Sequence, residues 1–189
     1  MADLIGLCGF ARSGKNSFAD FIIDSCPKVR ALSFAHALKK ELQPFVFQQL
    51  GISTFTEDPK EKEMIRPLLV CWGTRIIREH IDKNYWVKKL TESVNNNRKN
   101  KIISIITDVR FINEIEWIHN EGGLSIFVER EGIIPKNADE LKFTEPLKEK
   151  CNLIFTWKNL SNLQEEGGSL VKNFLQQHNL CSLTTPTKN

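Results

Sequence analysis

The sequence has no long apolar run, no paired-cysteine spacing and no concentrated charge of one sign. No stretch approaches the length that spans a bilayer, and the opening MADLIGLCGF carries no basic region ahead of a long apolar stretch. A soluble, cytoplasmic chain without a membrane partner is therefore expected. The five cysteines, Cys8, Cys26, Cys71, Cys151 and Cys181, are odd in number and show neither CxxC nor Cys/His spacing. That argues against a disulfide framework or zinc site and predicts reduced, mostly core thiols. Charge is nearly balanced, with 26 Lys+Arg against 23 Asp+Glu. Residues 1–100 hold 16 and 11 of these, and the remainder 10 and 12. Without a denser basic stripe, nucleic acid is not an expected partner, whereas a small anionic ligand suits a modest excess on one face. The four histidines form no ligand or triad pattern, and no internal repeat is visible. A homodimer is left open.

What the chain does have is alternation. Five β-rich runs, Leu4–Gly9, Val29–Phe34, Lys101–Val109, Leu124–Arg130 and Asn152–Trp157, are nearly continuously apolar, as strands covered on both faces are. Helical patterns separate them: Phe18, Phe21 and Ile22 share a face, as do Phe111, Ile115 and Ile118, and Leu163, Leu170, Val171, Phe174 and Leu175. Strand and helix at this spacing predict βαβ units, a parallel sheet and an α/β sandwich in one domain of residues 1–181. The long gap from Ala35 to Asn100, helical in pattern and broken at Gly51, Pro59 and Gly73, predicts a substrate-binding lobe. Residues 131–150 are polar enough to form a mobile lid, and Ser182–Asn189 a frayed tail.

After the first run comes Gly9-Phe10-Ala11-Arg12-Ser13-Gly14-Lys15-Asn16-Ser17. Glycines at this spacing followed by lysine allow backbone N–H groups to wrap a phosphate chain, and the helix predicted over Ser17–Cys26 aims its positive end at the same anion. Lys15 then reaches the β- and γ-phosphates. Asn16 stands where a magnesium-binding hydroxyl is usual, with Ser17 one place later, a shift that resembles nucleotide-kinase loops of the GKxT type, where the metal is held largely through water and phosphate. Asp108, at the end of the third run, is the second candidate metal ligand. The chain lacks the DxxG and NKxD of GTPases and the HRD and DFG of protein kinases, which leaves a small phosphotransferase.

Several stretches, GFARSGKNSFAD (9–20), LSFAHALK (32–39), RPLLVCWGTRIIR (66–78), DKNYWV (82–87) and DVRFINE (108–114), resemble the phage-type deoxynucleoside monophosphate kinases. The resemblance touches most of residues 4–163 and implies a three-layer adenylate-kinase-like fold, five-stranded with a helical lobe and small lid. It implies ATP as donor, Mg2+, and a deoxynucleoside monophosphate as acceptor. Val70, Arg75, Lys142 and Thr144 depart from the family pattern, and Thr156, Trp157 and Asn159 compete for one asparagine position. Trp72-Gly73, Arg78, Asp82, Tyr85-Trp86 and Glu116-Trp117 also resemble the animal-type phosphomevalonate kinases, the alternative enzyme reading. A non-catalytic ATP-binding regulatory module is the alternative from another class.

Read with the resemblance, Gly9, Ala11, Arg12, Ser13, Gly14, Lys15, Asn16 and Ser17 bind ATP, with Asp108 and Ser17 as metal ligands. Lys15, Asp108, Arg110 and Arg130 are the expected catalytic residues. The acceptor falls to Lys39, Arg66, Trp72, Arg75, Arg78, Asp82 and Trp86. Arginine suits such a site because its planar fork binds two phosphate oxygens and stays charged. Arg75 and Arg78, three apart on an expected α-helix, should share a face.

Overall fold

The computed structural model describes residues 2–135, 138–158 and 163–180. Lys136, Asn159, Cys181 and the tail Ser182–Asn189 lie outside the described residues. Two compact units emerge: residues 1–32 with 94–189, and residues 33–93.

The first unit is built on five parallel strands: β1 (Leu4–Cys8), β2 (Val29–Leu32), β3 (Ile103–Ile106), β4 (Leu124–Arg130) and β5 (Leu153–Trp157), ordered β2-β3-β1-β4-β5. Every residue of the central strand β1 is buried, which explains its unbroken apolar sequence. The outer strands β2 and β5 keep exposed positions such as Arg30 and Ile154. Coverage on both faces, expected of all five, therefore belongs to the middle of the sheet. α1 (Lys15–Ser25) and α7 (Leu163–Gln177) pack on one face, where Phe18, Ile22, Val171, Phe174 and Leu175 meet Ile5, Leu7, Ile126, Val128 and Phe155. α5 (Ile112–Asn120) and α6 (Ala138–Lys150) contact β1 from the other, giving three layers. Among the described residues no helix is long and apolar enough to cross a membrane.

The second unit is helical. α2 (Phe34–Leu50) is capped by the Ser33 hydroxyl, which accepts from the His36 N–H, and it ends at Gly51. α3 (Pro59–Val70) starts with Asp58 accepting from the N–H groups of Lys60 and Glu61. Leu42, Val46 and Ile65 form its core, with Leu38, Leu68 and Trp72 against them. The next segment, Cys71–Ile81, is a π-helix, and α4 (Tyr85–Lys99) follows.

That π-helix corrects one expectation. Its wider i→i+5 winding moves residues three apart off a shared face, so Arg75 and Arg78 separate: Arg75 is exposed and Arg78 half-buried. Positions four apart, Gly73 and Ile77, are the buried pair instead. The expected mostly core cysteines also divide. Cys8 and Cys26 are buried, Cys151 half-buried and Cys71 exposed, and none of the four is in a disulfide.

The loop after β1 is held by close approach. Gly9 has φ 135°, and a Cβ there would lie 2.1 Å from the Val128 carbonyl oxygen; Gly14 has φ 86°, and its Cβ would lie 2.4 Å from Trp157 Nε1. No L side chain fits either place without moving backbone or a packed indole. Gly14→Ala is expected to lower stability by about 1–3 kcal/mol. Chemical denaturation measures it, and an unchanged midpoint contradicts this packing.

Candidate active site

β1 ends at Cys8, and the loop Gly9–Gly14 turns directly into α1. Gly14, in the left-handed conformation, takes the cap position, so the helix starts at Lys15, two residues earlier than the sequence suggests. No side chain caps this end. The first-turn N–H groups and the positive end of the helix dipole therefore face the loop's concavity. Arg12 also adopts positive φ, 65°, an unfavourable conformation for a side chain of that size. Ala11, Arg12 and Asn16 are exposed, Ser17 is half-buried and Ser13 is buried.

Lys15 sits at the middle of this arrangement. Its Nζ donates to the carbonyls of Gly9 and Phe10 at 2.8 and 2.7 Å, folding the side chain back over its own loop. Burial, with the Arg110 guanidinium nearby, lowers its pKa to about 8, while Glu140, Cys8 and Asp108 act in the opposite sense. Lys15, Asp108, Arg110 and Glu140 thus share one electrostatic neighbourhood.

β3 is shorter than its apolar run and stops at Ile106, leaving Asp108 two residues beyond its end. The Val109 N–H donates to the Leu7 carbonyl at 3.2 Å, which seats the Asp108 turn beside the end of β1. Glu114, 1% exposed, accepts from the N–H groups of Arg110 at 2.7 Å and Phe111 at 3.1 Å. This buried carboxylate, rather than the arginine itself, sets the turn that carries Arg110. Asp108 and Ser17 are hard oxygen donors, a set suited to magnesium that keeps waters and nucleotide phosphates as its other ligands. Among the described residues no group of three or more His, Cys, Asp or Glu side chains forms a metal cage.

Arg130, exposed at the end of β4, lines a cavity of about 240 Å³ with Phe10, Ser13, Glu129, Glu131, Ile133 and Thr156. Glu129 receives hydrogen bonds from Lys148 Nζ and, at 2.9 Å, from the Thr156 hydroxyl; the Lys148 bond, with the Thr156 bond adding, holds its carboxyl below the usual range. Among the described residues, two buried polar atoms at this edge, Ser13 Oγ and Trp157 Nε1, have no hydrogen-bond partner.

The expected acceptor residues all belong to the helical unit, and the structure sorts them. Trp72 is half-buried, and its indole N–H donates to Glu41 Oε1 at 3.1 Å; Tyr85 Oη donates to Glu41 Oε2 at 2.6 Å, and Lys89 lies 3.5 Å from the same oxygen. Glu41 thus fixes two rings at once. Lys39 lies 5.7 Å from the Phe55 ring centroid, with the His36 ring tilted against the same ring at 5.1 Å. Arg66 and Arg75 are exposed, and Arg78 Nη1 reaches the Lys83 carbonyl at 3.4 Å. Two of the set do structural work. Trp86 is 2% exposed and donates to the Gly73 carbonyl at 2.9 Å, so no face of its ring is open to a base. Asp82 pairs with Lys88 at 2.8 Å and accepts from the Asn84 N–H at 2.8 Å at the entry to α4.

Sequence reading passed over Glu41, Glu129 and Glu140 as functional groups, and met Glu114 only within the DVRFINE stretch and Trp157 only as a candidate for one asparagine position. Only Glu114 left a usable trace, three residues after Phe111 at the spacing of a helix-capping carboxylate. The others act across tertiary distances that no local pattern records.

Glu114→Ala, leaving two inward N–H groups without their acceptor, is expected to cost about 1–3 kcal/mol in urea denaturation; no loss contradicts its anchoring role. For Lys15 the unfolded pKa of 10.5 exceeds the folded value of about 8, so the unfolded chain binds more protons in that window and Lys15's penalty shrinks as pH rises through it. Lys15→Met should therefore stabilise the ligand-free protein at neutral pH, with the advantage over wild type vanishing towards pH 10.5. Equal stability across the range contradicts the burial argument.

Residues 45–154 match the family model for deoxynucleotide monophosphate kinase. A protein of Acanthamoeba polyphaga mimivirus that carries the same name is 30% identical over 151 residues, covering 69% of this chain and 75% of that one. Among solved structures, dephospho-CoA kinase from Campylobacter jejuni has a TM-score of 0.58 at 13% identity, covering 94% of this chain and 98% of that one. Shikimate kinase from Bacteroides thetaiotaomicron has a TM-score of 0.51 at 12% identity, covering 93% and 98%. At those identities the likeness is of fold, the three-layer fold of P-loop kinases. With the family match over the larger part of its length, the chain belongs to the deoxynucleotide monophosphate kinase family.

Proposed function

We propose that the protein transfers the γ-phosphoryl of ATP to a deoxynucleoside monophosphate, giving the diphosphate. The observation that carries the donor half is the glycine-bounded loop running into the uncapped N-terminus of α1, with Lys15 at its centre. Backbone donors and a helix dipole converge there, which is the chemistry a triphosphate requires. The donor's nucleoside extends towards the cavity beside Phe10 and Arg130, which Ser13 also lines.

Chemically the task is positioning and charge neutralisation, because the acceptor phosphate is already ionised and needs no general base. Lys15 turns from its own carbonyls to the β- and γ-phosphates. Arg110, braced through Glu114, and Arg130 neutralise charge on the moving group, and Asp108 with Ser17 would hold the nucleotide's Mg2+, which would supply Lewis-acid charge stabilisation when bound. Lys39, Arg66, Arg75 and Arg78 of the helical unit bind the acceptor phosphate. Trp72, its ring fixed by Glu41, is the stacking surface for the base. The chain works in the cytoplasm.

Purified protein with ATP, Mg2+ and each deoxynucleoside monophosphate in turn is expected to form ADP only when an acceptor is present. Arg110→Ala should lower kcat at least about tenfold with a smaller change in KM, as for a group acting chiefly in the transition state. ATP affinity should fall as pH rises through 8, where Lys15 loses its charge in the empty site. No acceptor-dependent ADP with any nucleotide, or turnover with phosphomevalonate alone, overturns the proposal.

A further inference from the structure

The phosphate loop is already in contact with an anion, and the anion is part of the chain. The Ala11 N–H donates to Glu140 Oε1 at 2.6 Å, across 129 residues of sequence. Glu140 is in the first turn of α6, and its charge also acts on Lys15. A carboxylate accepting from a loop N–H beside the lysine makes the kind of charge-assisted bond that a phosphate oxygen makes. A triphosphate and this carboxylate cannot both hold that place without like charges in contact.

How α6 is anchored bears on what happens next. Its later turns are fastened: Leu147 is 0% and Thr144 7% exposed, and Lys148 pairs with Glu129. Its beginning is held less: Ala138, Leu141 and Lys142 are exposed, and Phe143, exposed as well, keeps a tilted ring contact with Phe111 at 5.9 Å. Little apolar burial holds this first turn, and the Glu140–Ala11 bond is its polar tether to the loop.

We propose that Glu140 is an internal competitor for the phosphate loop, released by the incoming triphosphate, so that the first turn of α6 is tied down in the empty enzyme and freed on nucleotide binding. The device regulates the site read above as a donor loop and rests on that reading. It makes ATP compete with a tethered carboxylate, and it lets α6 report on loop occupancy.

Equilibrium titration of the full-length protein with MgATP, followed by calorimetry, tests it in wild type, Glu140→Gln and the distant control Glu149→Gln. Glu140→Gln is expected to bind ATP about three- to tenfold more tightly, and Glu149→Gln as wild type does. Amide hydrogen exchange supplies a second readout: saturating ATP should speed exchange over 139–143 in wild type, whereas in Glu140→Gln exchange there is fast before ATP is added. Glu140→Gln binding no tighter than wild type, or no change over 139–143 in wild type at saturation, overturns this inference and leaves the donor reading standing. Absence of ATP binding by wild type and variant alike overturns both, and binding by the variant alone supports both.

Discussion

Everything at the candidate site depends on how closely the loop after β1 approaches its neighbours. Gly9 lies against the backbone of β4, and Gly14 against the indole that ends β5. These two contacts allow a chain leaving the most buried strand of the sheet to turn sharply and become a helix with an uncapped end. The charge placement follows from that turn. Lys15 is partly withdrawn from water because the turn is tight, and its pKa falls for that reason. The desolvation that weakens its hold on a proton also strengthens its attraction for phosphate, since charges interact more strongly where water is scarce.

Carboxylates set the geometry around this cation-rich edge. Glu114 braces the turn bearing Arg110, Glu129 links α6 to β5 through Lys148 and Thr156, and Glu140 touches the loop itself. In the helical unit Glu41 does similar work, holding Trp72 and Tyr85 by their polar ends so that both rings are fixed. A site built to receive polyanions carries positive charge that repels itself when empty, and buried or half-buried acids offset it. The arginines are conspicuous in the sequence, but it is an acid, Glu114, that sets the turn carrying one of them, Arg110.

The sheet was legible because a central parallel strand has no face on which polar residues can be placed, so Leu4–Cys8 announces itself. The phosphate loop was legible for a similar reason, as few other structures require glycine, glycine and lysine at that spacing. Strand ends were less so: Thr107 and Asp108 continue an apolar run but belong to a turn, because Val109 bonds to β1 instead of extending the β3 ladder. The π-helix Cys71–Ile81 left no mark in the pattern, since a stretch of apolar and basic residues fits either winding. Trp86 and Trp72 show the limit for aromatic residues. They are chemically identical and close in sequence, yet one is sealed in the interior and the other is held at its edge by a carboxylate 31 residues away.

The most direct test of the central claim is an amide NMR titration with MgATP. The largest shifts are expected in the backbone N–H groups from Phe10 to Ser17, with smaller ones at Asp108–Arg110 where the β3 turn meets the loop. Saturable binding that leaves Phe10–Ser17 unshifted while perturbing other parts of the chain would contradict the account.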